Sequence, residues 1–189
     1  MKKRIVIADD EPITRMDFSE LLNGADYDVV GEASDGFDAV ELCRDLKPDL
    51  VLMDVKMPLL DGLKASKIIG QENLAASVVL ITAYSGREFI DQAKEAGVMG
   101  YIVKPVDEKS LIATIEVAIA KGDEFRKIKE KVVKTQEQLK TRKIIEKAKG
   151  ILMKKYDLTE EKAYKKIRKL SMDKRCAMKD IANAIIINE

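Results

Sequence analysis

Aromatic residues make up only 5% of this 189-residue sequence, and it contains just two cysteines. Cys43 and Cys176 stand far apart in different halves of the chain, which excludes a disulfide framework and reads as two reduced packing residues in a reducing compartment. No stretch approaches the roughly 18 apolar residues of a membrane span. Lys2, Lys3 and Arg4 resemble the basic start of a secretory signal, but the apolar run behind them ends after Ala8, too short for an h-region. These absences predict a cytosolic protein. What is present, 46% apolar and 35% charged residues, suits a soluble, helix-rich chain with enough apolar surface for a core.

Net charge is also nearly lacking, at +1, but that balance hides a division. Residues 1–121 carry 14 Lys and Arg against 22 Asp and Glu, net −8, whereas residues 122–189 carry 20 against 11, net +9. The first segment repels nucleic acid and the second attracts it, which predicts two parts with different tasks.

The first part alternates short apolar runs with amphipathic stretches. Strands are predicted over Arg4 to Ala8, Tyr27 to Ala33, Asp49 to Asp54, Val78 to Thr82 and Gly100 to Val103. Between them lie segments of helical spacing, as where Val40 and Cys43 share a face with Phe37. Continuous Val, Ile and Leu runs separated by helices imply an α/β, doubly wound, five-stranded parallel sheet covered on both faces. Ligands of such sheets gather at the carboxyl ends of the strands. At those ends stand Asp9 and Asp10, then Asp54, Thr82 and Lys104.

Like charges about 4 Å apart repel by roughly 4 kcal/mol at an effective dielectric near 20, so acids gathered on one rim call for a cation. Asp9, Asp10 and Asp54 offer hard oxygen ligands with room for water, which suits Mg²⁺. A carboxylate beside that ion can act as a nucleophile toward phosphorus, with Lys104 neutralising charge and Thr82 donating a hydrogen bond. Each residue taken singly has a plainer role: Asp10, ahead of Pro12, suits a helix N-cap, Thr82 suits a strand, and Lys104 suits a solvated surface. Their joint placement at strand ends points to phosphoryl chemistry.

The stretches IVIADDE, DLVLMDVKMPLLDGL, VVLITAY and GYIVKP, in that order over residues 1–121, resemble the signature set of two-component response-regulator receiver domains, a flavodoxin-like fold. The resemblance implies that Asp54 accepts a phosphoryl group from a sensor histidine kinase. It implies that Asp10, Asp54 and the backbone carbonyl of Lys56 hold Mg²⁺ while Asp9 helps through water. It further implies that Lys104 pairs with the phosphate, Thr82 moves to bond it, Tyr101 is the coupled switch aromatic, and Lys104–Pro105 is cis. Such a domain is a phosphoacceptor rather than an enzyme, and it catalyses its own aspartate phosphorylation and dephosphorylation.

Beyond Lys109 a helix is predicted to run on past Lys121. Phe125, Val132 and Leu139 fall at heptad a positions and Ile128, Thr135 and Arg142 at d, a short seam that suits either a coiled coil or a solvated single helix. Residues 122–141 are accordingly read as a helical linker. Residues 142–189 read as three short helices, with apolar stripes through Ile145, Ala148 and Leu152, through Ala163, Ile167 and Leu170, and through Met178, Ile181, Ala182 and Ile185. A bundle this small is expected to lean on the linker helix or on a second chain.

The physical reading of this half is a basic helical module for a polyanion. Its sequence, through Ala148, Gly150, Leu152 and Met153, then Glu161, Ala163 and Tyr164, then Met172, Arg175 and Ala182, resembles the ANTAR module, an RNA-binding antitermination domain. The whole chain is similar to the antiterminator response regulators of ethanolamine-utilisation operons. The resemblance implies a regulator that dimerises on phosphorylation and binds hairpins in nascent mRNA. Candidate RNA contacts are Arg142, Lys143, Lys147, Lys149, Lys165, Arg168, Lys169, Lys174 and Arg175, with Tyr164 either stacking on an unpaired base or packing beside Ala163. Two other readings of the basic helices stay open on the residues alone: a duplex-DNA reader of helix-turn-helix type, and a protein-docking adaptor.

Overall fold

The computed structural model describes residues 2–83 and 86–188, so Tyr84, the last residue of the VVLITAY stretch, lies outside the described residues. The chain forms two compact units, Met1–Lys127 and Ile128–Glu189.

In the first unit, β1 (Arg4–Ala8), β2 (Asp28–Ala33), β3 (Leu50–Asp54), β4 (Ser77–Thr82) and β5 (Gly100–Val103) alternate with α1 (Pro12–Gly24), α2 (Gly36–Leu46), α3 (Gly62–Glu72) and α4 (Arg87–Glu95). The strands form one parallel sheet in the order β2-β1-β3-β4-β5, the doubly wound topology that the alternation of runs predicts. Alternate residues of each strand point to opposite faces and feed two cores. Val6, Ala8, Val51 and Met53 pack on one side with Ala39, Cys43, Ala65 and Ile69 of α2 and α3. Ile5, Ile7, Leu50 and Leu52 pack on the other with Leu22 of α1 and with Leu111, Ile115 and Ala118 of the last helix, α5 (Glu108–Tyr156). Cys43 is unpaired and fully buried, and burial pushes its thiol up to about 12, so it behaves as a small apolar residue.

Local chemistry sets the helix limits. The Asp35 carboxylate accepts from the backbone N–H groups of Phe37 and Asp38 and opens α2, and Asp61 accepts from Lys64 N–H and opens α3. Lys47 and Asn73 close those helices in the left-handed conformation. Helix α1 differs from the sequence expectation. Its N-cap is Glu11, which makes no side-chain cap bond, and Pro12 occupies the first turn, so Asp10 is not the cap.

In the second unit, the end of α5 packs with α6 (Glu160–Lys174) and α7 (Met178–Ile187). The core is small: Ala148, Leu152, Ala163, Ile167 and Ala182 are buried, with Ile145, Met178, Ile181 and Ile185 partly so. The first of the three expected helices is thus the last stretch of α5, unbroken from Glu108. No Pro intervenes there, and single glycines, Gly122 and Gly150, are too weak as breakers to interrupt it. Thr159 accepts from Lys162 N–H at the start of α6, with Glu160 and Glu161 in its first turn, and Arg175 ends it in the left-handed conformation. No helix among the described residues is long and apolar enough to cross a membrane.

Candidate functional site

Strand register assembles the rim. Ala8 lies opposite Met53, so Asp9, just past β1, comes level with Asp54 at the end of β3. Asp54 lies opposite Ile81, which brings Thr82 one residue further along β4, and Thr82 lies opposite Val103, the residue before Lys104. Lys104 N–H donates to the Thr82 carbonyl at 2.8 Å, and the Lys104–Pro105 bond is cis. Asp9, Asp54 and Thr82 are buried, whereas Asp10 and Lys56 face solvent. Tyr101 lies within β5, half-buried.

One carboxylate oxygen from each of Asp9, Asp10 and Asp54 lies within 4.8 Å of the others. Into this group reaches the Lys104 ammonium, 3.2 Å from Asp9 Oδ2 and 3.5 Å from Asp54 Oδ1. Burial raises the Asp54 carboxyl above its ordinary range; Lys104 pulls it down and Asp9 pushes it up, and burial prevails. Burial alone would lower Lys104, but the Asp54 and Asp9 charges together hold it above its ordinary value. The pair thus ties the lysine proton more firmly while leaving Asp54 a stronger base than a solvated aspartate. A set of hard oxygen donors, two of them buried and one at the solvent edge, fits a small divalent cation that keeps part of its water.

Two residues that the sequence reading passed over hold this geometry. Arg15, on the inner face of α1, donates from Nη1 to the Asp9 carbonyl at 2.7 Å and lies 3.5 Å from the Glu32 carboxylate of β2, which fixes the loop that carries the acids. Its place five residues after Asp10, one helical turn back toward the sheet, was the available signal. Gly62 opens α3 against β3: its N–H donates to the Val55 carbonyl at 2.9 Å, and a Cβ at this position would overlap the Asp54 carbonyl. The Asp61–Gly62 pair after DVKMPLL carried that signal in the sequence.

In the second unit the candidate residues are distributed rather than gathered. Arg142, Lys143 and Lys147 are exposed along α5; Tyr164, Lys165, Arg168 and Lys169 are exposed on α6, away from buried Ala163 and Ile167; Lys174 and Arg175 are exposed at its end. Lys165 pairs with Glu161 at 2.6 Å on the surface. Lys149 stands apart. Its side chain is buried, and its ammonium contacts Glu146 at 2.9 Å and Glu160 at 2.6 Å, tying the end of α5 to the start of α6.

A parallel sheet in this order, with an acidic trio and a lysine on its carboxyl rim, is the architecture of a signal-receiver domain. Comparison with known proteins agrees: residues 5–116 match the response regulator receiver domain, and residues 134–186 match the ANTAR domain. The chain belongs to the response regulators, and it joins a receiver to an ANTAR output module of the RNA-binding antitermination class. It is 44% identical over 184 residues to the transcriptional regulatory protein PdtaR of Mycobacterium tuberculosis, covering 97% of this chain and 89% of that protein. The receiver resembles the solved response regulator domain of Thermotoga maritima CheB, with 29% identity, a TM-score of 0.59, and coverage of 64% of this chain and 98% of that one. It is equally similar to the receiver domain of NarL from Mycobacterium tuberculosis, with 29% identity, a TM-score of 0.60, and coverage of 63% and 97%.

Proposed function

We propose that the protein is a phosphorylation-controlled antitermination factor that acts on RNA in the cytoplasm. Asp54 is the phosphoacceptor: its carboxylate oxygen forms the new bond to phosphorus as the bond from phosphorus to a histidine nitrogen of a sensor kinase breaks. None of the 189 residues is a histidine, so the donor lies on another molecule. The raised basicity of Asp54 favours its attack, and burial keeps competing water scarce around it. Asp9, Asp10, Asp54 and the Lys56 backbone carbonyl would hold Mg²⁺, which when bound neutralises part of the charge on the transferring group. Lys104 then exchanges its contact with Asp54 for one with the phosphoryl oxygens, and Thr82 donates its hydroxyl proton to them. Tyr101 lies opposite Leu80, two residues before Thr82 on the neighbouring strand, and movement of Thr82 is passed across that strand pair to Tyr101.

The output is binding of hairpins in nascent mRNA by paired ANTAR modules. Phe125, Ile128, Val132 and Leu139 are exposed along α5, which suits a seam between two copies formed on phosphorylation. Two modules linked in one dimer raise avidity without new contacts. Arg142, Lys143, Lys147, Lys165, Arg168, Lys169, Lys174 and Arg175 supply contacts to phosphate, and Lys149 supports that surface from behind.

The observation that carries this reading is the convergence of Asp9, Asp54 and Lys104 on one rim of a chain whose other unit is strongly basic. Its test is binding of labelled RNA hairpins, in competition with duplex DNA at fixed salt, before and after treatment with a small-molecule phosphodonor. Phosphodonor should raise the affinity for hairpins and the dimer fraction in sedimentation, and Asp54→Asn should abolish both gains. A variant that still dimerises on treatment, or a chain that prefers duplex DNA, would refute the proposal.

A further inference from the structure

The stripe of α5 that ends in buried Ala148 and Leu152 continues backward through Ile145, Thr141, Gln138 and Lys134, at spacings of three and four residues. With Tyr164 of α6 these residues line an open groove of about 600 Å³. Tyr164 is the one aromatic among the described lining residues, and 43% of it remains exposed instead of packing beside Ala163. Two cations, Lys134 and Arg142, and two carboxylates, Glu137 and Glu146, share the lining, so the groove itself is close to neutral. It is a neutral recess in a unit whose 62 residues hold 18 Lys and Arg against 9 Asp and Glu.

We infer that this groove holds one unpaired nucleobase of the bound RNA, stacked on Tyr164. The inference rests on the RNA-binding reading above and adds a subsite to it. A phosphate would be attracted to the exposed lysines elsewhere on the unit but would meet Glu137 and Glu146 here. An apolar side chain from a protein partner would strand the Gln138 amide, the Thr141 hydroxyl and the Glu137 carboxylate. A base fits both conditions. It is flat and uncharged, its face stacks on a tyrosine, and its edge offers donors to Glu137 and Gln138 and acceptors to Arg142 and Lys134. Leu139 follows Gln138, so the apolar stripe through Val132 and Leu139 is turned by about 100° around α5 from Gln138, and Arg142, at a d position of that seam, borders both.

The test uses the full chain treated with a phosphodonor and a pool of RNA hairpins with randomised loops. The hairpin enriched by the unaltered chain should bind Tyr164→Phe within about twofold and Tyr164→Ala about 10-fold more weakly, while a blunt duplex of the same stem binds both alike. Gln138→Ala, at an exposed helix position that does not support the core, should weaken the same hairpin several-fold and leave the melting temperature unchanged, so a Tyr164→Ala variant that melts early does not decide the matter alone. A photoreactive phenylalanine at position 164 should crosslink to a loop nucleotide. Full affinity in Gln138→Ala and in a folded Tyr164→Ala would overturn the subsite while leaving RNA binding intact; crosslinking into a second protein chain would reassign the groove. Enrichment of no hairpin by the unaltered chain would instead remove the RNA-binding reading, and this subsite with it.

Discussion

Lys104 and Lys149 each bridge two carboxylates, with inverted surroundings. Lys104 is partly exposed, and the acids that it joins are the buried partners, their side chains 2% exposed at Asp9 and 10% at Asp54. Lys149 is itself buried, 7% exposed, and its partners Glu146 and Glu160 open to solvent. In the second cluster one positive charge is enclosed by two acids that water also stabilises, so the set is satisfied and acts as a clamp between α5 and α6. In the first, two desolvated negative charges, with Asp10 beside them, are incompletely balanced by one ammonium, which leaves a demand for further positive charge. Similar side chains thus leave an unbalanced acidic cluster in one unit and make a structural tie in the other, and the difference is which partner was taken out of water.

The comparison is broken most severely at Lys104. Lys104→Met should lower phosphoryl uptake by about 100-fold, the usual loss on removing one preorganised donor to a developing negative charge. The same variant should bind Mg²⁺ several-fold more tightly, because no ammonium then competes for Asp9 and Asp54; calorimetric titration with unchanged or weaker binding would show that the lysine does not hold the acids in check.

A second test concerns the unbalanced charge itself. The folded-state pKa of Asp54 is raised, so the stability that its protonated form contributes is present below the unfolded value of about 3.9 and is lost as pH rises through the folded value. At neutral pH the ionised residue therefore costs stability. Asp54→Asn should raise the melting temperature of the first unit by a few degrees, on the order of 1 kcal/mol, and the advantage should vanish below the ordinary carboxylate range. Equal melting temperatures at pH 7 would mean that Lys104 already balances the site.

The smallest effect is expected at the clamp. Lys149→Met keeps the buried stem and removes the charge, and RNA affinity should stay within about twofold. The slope of log affinity against log salt should not change, whereas Arg142→Gln should reduce it by about 0.7 to 0.9. A matching loss of slope in Lys149→Met would place that ammonium on phosphate and erase the contrast between the two clusters.

Much of this was legible before the fold was known, for identifiable reasons. The five strands declared themselves as apolar runs bounded by charges, and β1 and β5 have the limits read from the sequence, Arg4–Ala8 and Gly100–Val103. The rim residues were found because continuous apolar runs end in polar side chains at Asp9, Asp54, Thr82 and Lys104. Capping was less legible: Asp10 looked like the cap of α1, yet Asp9 accepts from Glu11 N–H at 2.9 Å, and Asp10 points its carboxylate at the other acids. The junction near residue 142 was read as a helix start, although nothing in that stretch stops α5. Lys149 could not be told from its exposed neighbours, because a lysine beside an apolar stripe is buried or solvated according to where the next helix puts its acids.

Sequence alone determined the parts: five strands, an acidic half and a basic half, and the residue types that phosphoryl chemistry requires. Those follow from local periodicity and charge, which each segment carries by itself. Only the tertiary structure decided the distances, since strand register brings Asp9 to Asp54 and Lys104 to both, and the docking of α6 on α5 encloses Lys149 and leaves Tyr164 open beside a groove. The chain cannot specify burial one residue at a time, because desolvation belongs to the packing of elements and not to any of them singly.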